Sequence, residues 1–329
     1  MEKLRTPDER FANLHAWPFV PRYVDVPDGE GDRLRLHYVD EGPRTATPIV
    51  LFHGEPTWSY LYRKMIPGLA AAGHRVLAPD LAGFGRSDKP ANKTDYSFAR
   101  HVGWMRAWVE TIDVRDAVFF GQDWGSLIGL TVVALEAARF RGIVIANGAL
   151  PDPAHLERMA AAQQGAPDPT AFSRWQAFAE ASERLACGDI VADGIPALGA
   201  QMQIALSAAE RAAYDAPFPD ATYQAGALVF PSLIRPERLG AEGVALFDTA
   251  WRVLERWQQP FVTAYGKADP VLGFFDVVFQ QYVPGAKGQP HRVFPNGTHF
   301  IQEQEAPALV AVIDEVARTV RSAGKHTSA

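Results

Sequence analysis

The pattern of apolar and polar positions changes twice along this 329-residue chain. Residues 23–41 alternate between apolar and polar side chains around Pro27-Asp28-Gly29, which predicts an antiparallel hairpin. Continuous apolar runs follow at 49–52, 75–78, 117–120 and 142–145, and helical patterns separate several of them. In one such pattern the apolar residues recur at Phe98, Val102, Met105, Trp108 and Ile112. Short apolar strands that alternate with helices predict an α/β fold with a mostly parallel, doubly wound sheet.

This alternation stops after Asn147 and resumes at Phe261–Tyr265 and 292–294, before a last helical pattern from Ala306 to Val320. The segment between is rich in alanine. It carries a helix-like row of apolar side chains at Phe172, Trp175, Phe178 and Leu185. We therefore predict an α/β core formed by residues 1–150 and 231–329, with an inserted helical cap at 151–230 over the active edge of the sheet.

Gly121-Gln122-Asp123-Trp124-Gly125 lies between an apolar run and an apolar, helix-like stretch at 126–135. A strand, a Gly-x-Asp-x-Gly turn and a helix form a nucleophile elbow, in which the central residue is usually serine. Here the central residue is Asp123. A carboxylate nucleophile at this position would form an ester with the carbon that it attacks.

Two further residues complete a triad in the chain order nucleophile, acid, base. Asp269 directly follows a predicted strand, and His299 lies in a polar turn after the last predicted strand. Taken singly, such an aspartate is more often a turn residue or helix cap, and such a histidine more often a surface or structural residue. All three positions fall at carboxyl ends of parallel strands, the edge where open α/β sheets bind ligands. This conjunction favours catalysis over the separate structural explanations.

Glu55 and Trp124 are placed to supply an oxyanion hole. His53-Gly54-Glu55-Pro56 follows the strand at 49–52, and in this fold the hole uses a backbone N–H from that loop and one from the residue after the nucleophile. A simple strand-to-helix turn is the alternative explanation. The indole of Trp124 is a donor only, so it could hold an anion or a leaving group. Trp175 could add a second indole from the cap, although its aromatic row is also typical of a core.

Composition excludes several classes of function. A net charge of -6 and a pI near 5.9 give no electrostatic case for nucleic acid. The single cysteine cannot form an internal disulfide, and no apolar stretch reaches the roughly 18 residues of a membrane span. Metal-ligand spacing and a phosphate-binding loop are also lacking, so we expect neither a metal nor a cofactor. We expect a soluble, cytoplasmic monomer that does not act on membranes.

The motifs together resemble the haloalkane dehalogenases of the α/β-hydrolase superfamily, in the subfamily whose acid follows the seventh strand. The resemblance covers nearly the whole chain. The matching stretches are 5–11, 53–64, 80–90 and 121–125, with 216–220 and 223–226 in the cap. It implies that Asp123 is the nucleophile, His299 the base and Asp269 the acid, and that Trp124 and Trp175 hold the halide. Asn147 at the end of the sixth strand and Glu55 in the oxyanion loop fit this subfamily.

The implied reaction converts a haloalkane and water into an alcohol, a halide and a proton through an ester of Asp123, without a cofactor. The expected apolar wall of the substrate pocket consists of Phe172, Phe218, Val271 and Leu272. An epoxide hydrolase with the same triad is the nearest alternative. It would need an acid for the opening oxygen, and Tyr214 and Tyr223 are the candidates in the cap. A non-catalytic ligand-binding protein of this fold is a third possibility.

Overall fold

An eight-stranded sheet organises the chain in the computed structural model, which describes residues 1–164, 166, 168–198 and 202–326. The strands are β1 (Arg22–Pro27), β2 (Arg33–Glu41), β3 (Pro48–Phe52), β4 (Arg75–Pro79), β5 (Ala117–Asp123), β6 (Phe140–Gly148), β7 (Phe261–Gly266) and β8 (Arg292–Phe294). Their order across the sheet is β8-β7-β6-β5-β3-β4-β2-β1. β2 is antiparallel to both of its neighbours, and the other adjacent strands are parallel. The predicted hairpin and the predicted mostly parallel sheet are confirmed.

Helices cover both faces of this sheet, which explains the unbroken apolar runs of its central strands. Every residue of β3 is buried, because its side chains meet a helical layer on either side. The helices of the core are α1 (Ile66–Ala71), α2 (Phe98–Thr111), α3 (Trp124–Leu135), α9 (Pro236–Leu254), α10 (Asp276–Tyr282) and α11 (Ile301–His326). Side chains of α2, α3 and α9 share one apolar cluster, and those of α1 and α11 share the other. The sheet is therefore doubly wound, as predicted.

The segment between β6 and α9 is helical. It contains α4 (Leu156–Gln163), α5 (Ala171–Ala181), α6 (Cys187–Asp193), α7 (Ala208–Asp215) and α8 (Ala225–Val229). The boundaries of core and cap at 150 and 231 stay a prediction. The predicted cap includes residues 165, 167 and 199–201, and the predicted core includes 327–329, which lie outside the described residues.

One detail of the predicted helical row is wrong. Phe172, Trp175 and Phe178 lie on α5, but the backbone becomes extended at Ser182, with ψ 136°, so the helix ends before Leu185. Leu185 is nevertheless buried in the same apolar cluster. Its amide donates to the side chain of Gln224 at 2.7 Å, and this contact fixes the turn between α5 and α6.

Hydrogen bonds attach the helical segment to the rest of the chain. The hydroxyl of Thr6 donates to the carbonyl of Pro217 at 2.6 Å, and the indole of Trp58 donates to the carbonyl of Ala213 at 3.0 Å. All of these groups lie in buried surroundings, where an unpaired polar group would be costly. In the part of the chain that the structure describes, no helix has both the length and the apolar character needed to cross a membrane.

Candidate active site

The chain turns sharply at Asp123, between β5 and α3. Asp123 has φ 51° and ψ -130°. A positive φ of this kind costs free energy for any residue that carries a side chain. Gly54 and Gly125 are required for a different reason, because other atoms approach their Cα atoms too closely to leave room for a side chain. A Cβ on Gly54 would lie 2.3 Å from Oδ1 of Asp123, and one on Gly125 would lie 2.0 Å from the carbonyl oxygen of Phe52. The turn therefore presents the carboxyl group of Asp123 at the carboxyl edge of the sheet.

Both oxygens of the Asp123 carboxyl group face polar partners. Oδ1 accepts a hydrogen bond of 2.8 Å from the backbone N–H of Glu55. Oδ2 lies 3.5 Å from Nε2 of His299. The loop after β3 and the loop after β8 thus meet at the elbow, although they are far apart in sequence.

Asp269 and His299 form a buried pair at this edge. Nδ1 of His299 lies 2.8 Å from Oδ2 of Asp269, so an Nδ1–H group can donate to the carboxylate. The same oxygen accepts from the amide of Asn147 at 2.8 Å. The other oxygen accepts from the backbone N–H groups of Val271 at 2.8 Å and Leu272 at 3.2 Å. The carboxylate is therefore held by four donors, one of which is His299 itself. The other three fix the carboxylate, which in turn orients the imidazole.

Charges at the site change the pKa values of both members of this pair. Burial disfavours the carboxylate of Asp269, but the charge of His299 and the hydrogen bonds prevail and lower the pKa of Asp269. Burial likewise disfavours the imidazolium of His299. Asp269 and Asp123 outweigh that cost and raise the pKa of His299 from 6.5 to about 10. The carboxylates of Asp269 and Asp123 thus both favour the protonated imidazole.

A cavity of about 240 Å³ opens onto Asp123 and His299. Its wall is mostly apolar, and both Trp124 and Trp175 belong to it. The ring centroids of Phe230 and Trp124 lie 4.7 Å apart, so Phe230 packs against the indole. No tyrosine or arginine is found among the described residues that line this cavity. The cavity therefore combines a carboxylate, a histidine and two indoles with a wall that favours an apolar ligand.

Similarity to known proteins agrees with this geometry. A model of the alpha/beta hydrolase fold matches residues 47–235. The haloalkane dehalogenase of Mycobacterium marinum is 48% identical over 309 residues, which cover 94% of this chain and 97% of that protein. Haloalkane dehalogenase 1 of Mycobacterium tuberculosis is 50% identical and covers 94% and 96% respectively. The chain belongs to the haloalkane dehalogenase family.

A solved structure of the family has the same overall fold. The tetrameric structure of the haloalkane dehalogenase DpaA from Paraglaciecola agarilytica matches with a TM-score of 0.79 and 35% identity. The match covers 96% of this chain and 97% of that one. The predicted family and fold are thereby confirmed.

Most of the residues predicted for a haloalkane dehalogenase site lie together. The cavity lining includes Asp123, His299, Trp124, Trp175 and Glu55, and it includes Phe172, Val271 and Leu272 from the predicted wall. Asp269 is not in the lining; it is buried and contacts His299. Phe218 is not part of the lining, and its prediction is corrected. The centroid of its ring lies 6.5 Å from that of Phe84 in an edge-on contact, and the residue is 1% exposed, so it supports the packing of the fold.

Two buried amides near Asp123, Asp269 and His299 were not predicted as partners of these residues. The side-chain amide nitrogen of Gln122 lies 3.1 Å from Nε2 of His299 and 3.1 Å from its carbonyl oxygen. The sequence placed Asn147 only at the end of the sixth strand, as a feature that fits the subfamily. In the structure its amide donates directly to Asp269. Each residue lies at the end of a central strand beside a candidate catalytic residue. That position was the available signal.

Proposed function

We propose that Asp123, His299 and Asp269 carry out the two-step hydrolysis of a haloalkane in this cavity. As a member of the haloalkane dehalogenase family, the chain is a hydrolase that acts on carbon–halide bonds. The observation that carries the assignment of residues is the carboxylate at the elbow, 3.5 Å from His299 in a cavity lined by two indoles. A carboxylate can displace a halide from a saturated carbon, and an indole N–H can receive it.

The first step forms an ester. Oδ1 of Asp123 already accepts from the backbone of Glu55, so Oδ2 is the oxygen available to attack the carbon that bears the halogen. A new C–O bond forms while the C–X bond breaks, and the electron pair leaves with the halide. The indole N–H groups of Trp124 and Trp175 would stabilise this charge as it develops. Oδ1 becomes the carbonyl oxygen of the ester.

The second step hydrolyses the ester and restores Asp123. His299 removes a proton from a water molecule, which attacks the carbonyl carbon, while Asp269 orients the imidazole and stabilises its cation. The oxyanion then develops on Oδ1, where the N–H of Glu55 is already in place at 2.8 Å. The backbone N–H of Trp124 is the second proposed donor, because the first N–H groups of a helix have no partner within it. One such donor contributes roughly 3 kcal/mol.

An epoxide hydrolase has less support from this cavity. Opening an epoxide requires an acid for the ring oxygen, and neither tyrosine considered for that role lines the described part of the cavity. Tyr214 is buried elsewhere, where its hydroxyl contacts Glu303 and lies 3.4 Å from Arg63. A non-catalytic ligand-binding protein is also less favoured, since it has no need for a histidine between two carboxylates.

Purified protein tests this function with 1-bromobutane and 1,2-dibromoethane beside styrene oxide. We expect equal release of bromide and acid from the bromoalkanes, no diol from styrene oxide, and no reaction by Asp123→Asn. Diol formation in the absence of bromide release would favour the epoxide hydrolase. Ligand binding without turnover of any of the three would favour the binding protein.

The oligomeric state and the compartment stay predictions. We propose a monomer in the cytoplasm, from the features of the sequence described above. The related dehalogenase DpaA forms a tetramer, which is a different oligomeric state. Light scattering coupled to size-exclusion chromatography distinguishes a monomer from a tetramer directly.

A further inference from the structure

The side chain of Glu55 is a buried carboxyl group that the proposed reaction does not use. Only its backbone N–H enters the mechanism. The residue is 3% exposed and lines the cavity beside Asp123. Within the described part of the chain, neither of its carboxyl oxygens has a hydrogen-bond partner. A buried carboxylate without partners is costly, so this arrangement favours the neutral acid.

Four groups on separate elements interact electrostatically with Glu55. They are the carboxylate of Asp123 at the elbow, His299 after β8, the indole of Trp175 on α5 and the thiol of Cys187 on α6. Burial and the charge of Asp123 raise the pKa of Glu55 well above 4.5, and His299 and Trp175 oppose this rise without cancelling it. Burial also raises the pKa of the Cys187 thiol, so that group adds no charge. These effects favour the neutral acid form of Glu55, next to the nucleophile.

The position of Trp175 indicates what this donor meets. The indole is near enough to Glu55 to affect its ionisation, although the two do not form a hydrogen bond of good geometry. A halide held by the N–H of Trp175 would thus lie beside the carboxyl group of Glu55. An ionised carboxylate there would repel the halide, whereas a neutral acid would bind it.

We propose that the Glu55 side chain remains un-ionised and donates its O–H to the departing halide, as a third donor beside the indoles of Trp124 and Trp175. This inference rests on the proposed function. The proton stays on Glu55 throughout: the electron pair of the C–X bond leaves with the halide, and the acid released overall comes from the water that His299 deprotonates. Hydrogen bonds to charged groups are the stronger ones, so loss of this donor should weaken halide binding on the order of 10-fold.

Bromide binding tests the inference without requiring turnover. Quenching of tryptophan fluorescence is titrated with sodium bromide between about pH 5 and about pH 10, a span that includes documented pKa values of buried glutamates. The proteins are the wild type, Glu55→Gln, which keeps an uncharged donor, and Glu55→Met, which keeps only the shape. Each is also made with His299→Gln, so that the titration of the imidazole does not contribute. Asp168→Asn is the matched control, since it removes another carboxylate from the cavity lining.

We expect bromide affinity to fall with rising pH in the wild type, in Asp168→Asn and in the His299→Gln single variant. In the His299→Gln background, Glu55→Gln should bind bromide and lose this fall, whereas Glu55→Met should bind on the order of 10-fold more weakly at low pH. An infrared band of a protonated carboxyl group that is absent from Glu55→Gln should accompany these results.

An unchanged pH dependence in Glu55→Gln carrying His299→Gln would overturn the inference. So would wild-type affinity in Glu55→Met. Bromide release from 1-bromobutane is measured on the same wild-type samples. Normal release with either of these outcomes refutes the role of Glu55 alone, whereas absence of release refutes the proposed function.

Discussion

Replacement of His299 by glutamine separates the two steps of the reaction. Attack by Asp123 on the carbon needs no base, so formation of the ester should persist in His299→Gln. Hydrolysis of the ester loses its general base, a contribution of about 10² to 10⁴ in rate. This corresponds to roughly 3 to 5 kcal/mol in the activation free energy of the second step. Asp269 keeps its contacts with Asn147, Val271 and Leu272, so the surrounding loops should stay in place.

The assay mixes His299→Gln with excess 1-bromobutane and follows bromide and the mass of the protein. We expect a burst of bromide equal to the amount of enzyme, then nearly no further release. The protein should gain one butyl group in place of a proton, and fragmentation should place it on Asp123. Asp123→Asn is the control and should show neither burst nor adduct. Continued turnover at the wild-type rate would refute the assigned role of His299.

Three further predictions concern the leaving group, the charge of the base and the fold. Trp124→Phe and Trp175→Phe should each weaken bromide binding on the order of 10-fold in calorimetric titrations, because each removes a donor to an anion; unchanged affinity would contradict the role of that indole. Since the pKa of His299 is raised from 6.5 to about 10, its ionisation stabilises the folded protein below pH 6.5, and the contribution is lost as the pH rises through about 10. The excess in Tm of the wild type over His299→Gln should therefore shrink across this range in scanning calorimetry, and an increase would contradict the assignment. Both carboxyl oxygens of Glu303 hold the buried guanidinium of Arg63, so Glu303→Gln should lower the free energy of unfolding by roughly 3 kcal/mol in urea titrations. Glu315→Gln, at an exposed pair, is the control and should change it by less than about 1 kcal/mol, and equal effects would contradict this reasoning.

The parts of the fold that the sequence predicts are those in which burial leaves a periodic pattern. The runs at 49–52 and 117–120 are continuous because both faces of these strands are covered. The proximity of Asp123, Asp269 and His299 could be predicted because parallel strands bring their carboxyl ends to one edge of the sheet, so chain order and strand ends suffice. Neither inference needs any knowledge of how side chains pack across the cap.

Contacts across the cap could not be predicted in the same way. An aromatic row on α5 indicates one buried face, but the row alone does not tell which neighbour that face meets. Phe172 and Trp175 line the cavity, whereas Phe218, in a proline-rich turn without periodicity, packs against Phe84 and is not part of the lining. The role of Gln122 was missed for a related reason: its amide acts on His299, which is 177 residues away in sequence.

The charge of Asp123 connects the two steps of the proposed reaction. In the free site burial and that charge raise the pKa of Glu55, while Asp269 and that charge raise the pKa of His299, which favours a neutral Glu55 and a protonated His299. Ester formation removes the charge from Asp123 and places it on the halide, beside Glu55 and the two indoles. His299 then loses one of the two carboxylates that hold its proton, so its pKa falls. The imidazolium can release that proton to solvent, and the neutral imidazole can then accept a proton from the attacking water. Glu55 meanwhile exchanges one negative neighbour for another and has no reason to ionise. Transfer of charge in the first step therefore prepares the base for the second and leaves the proposed halide donor intact.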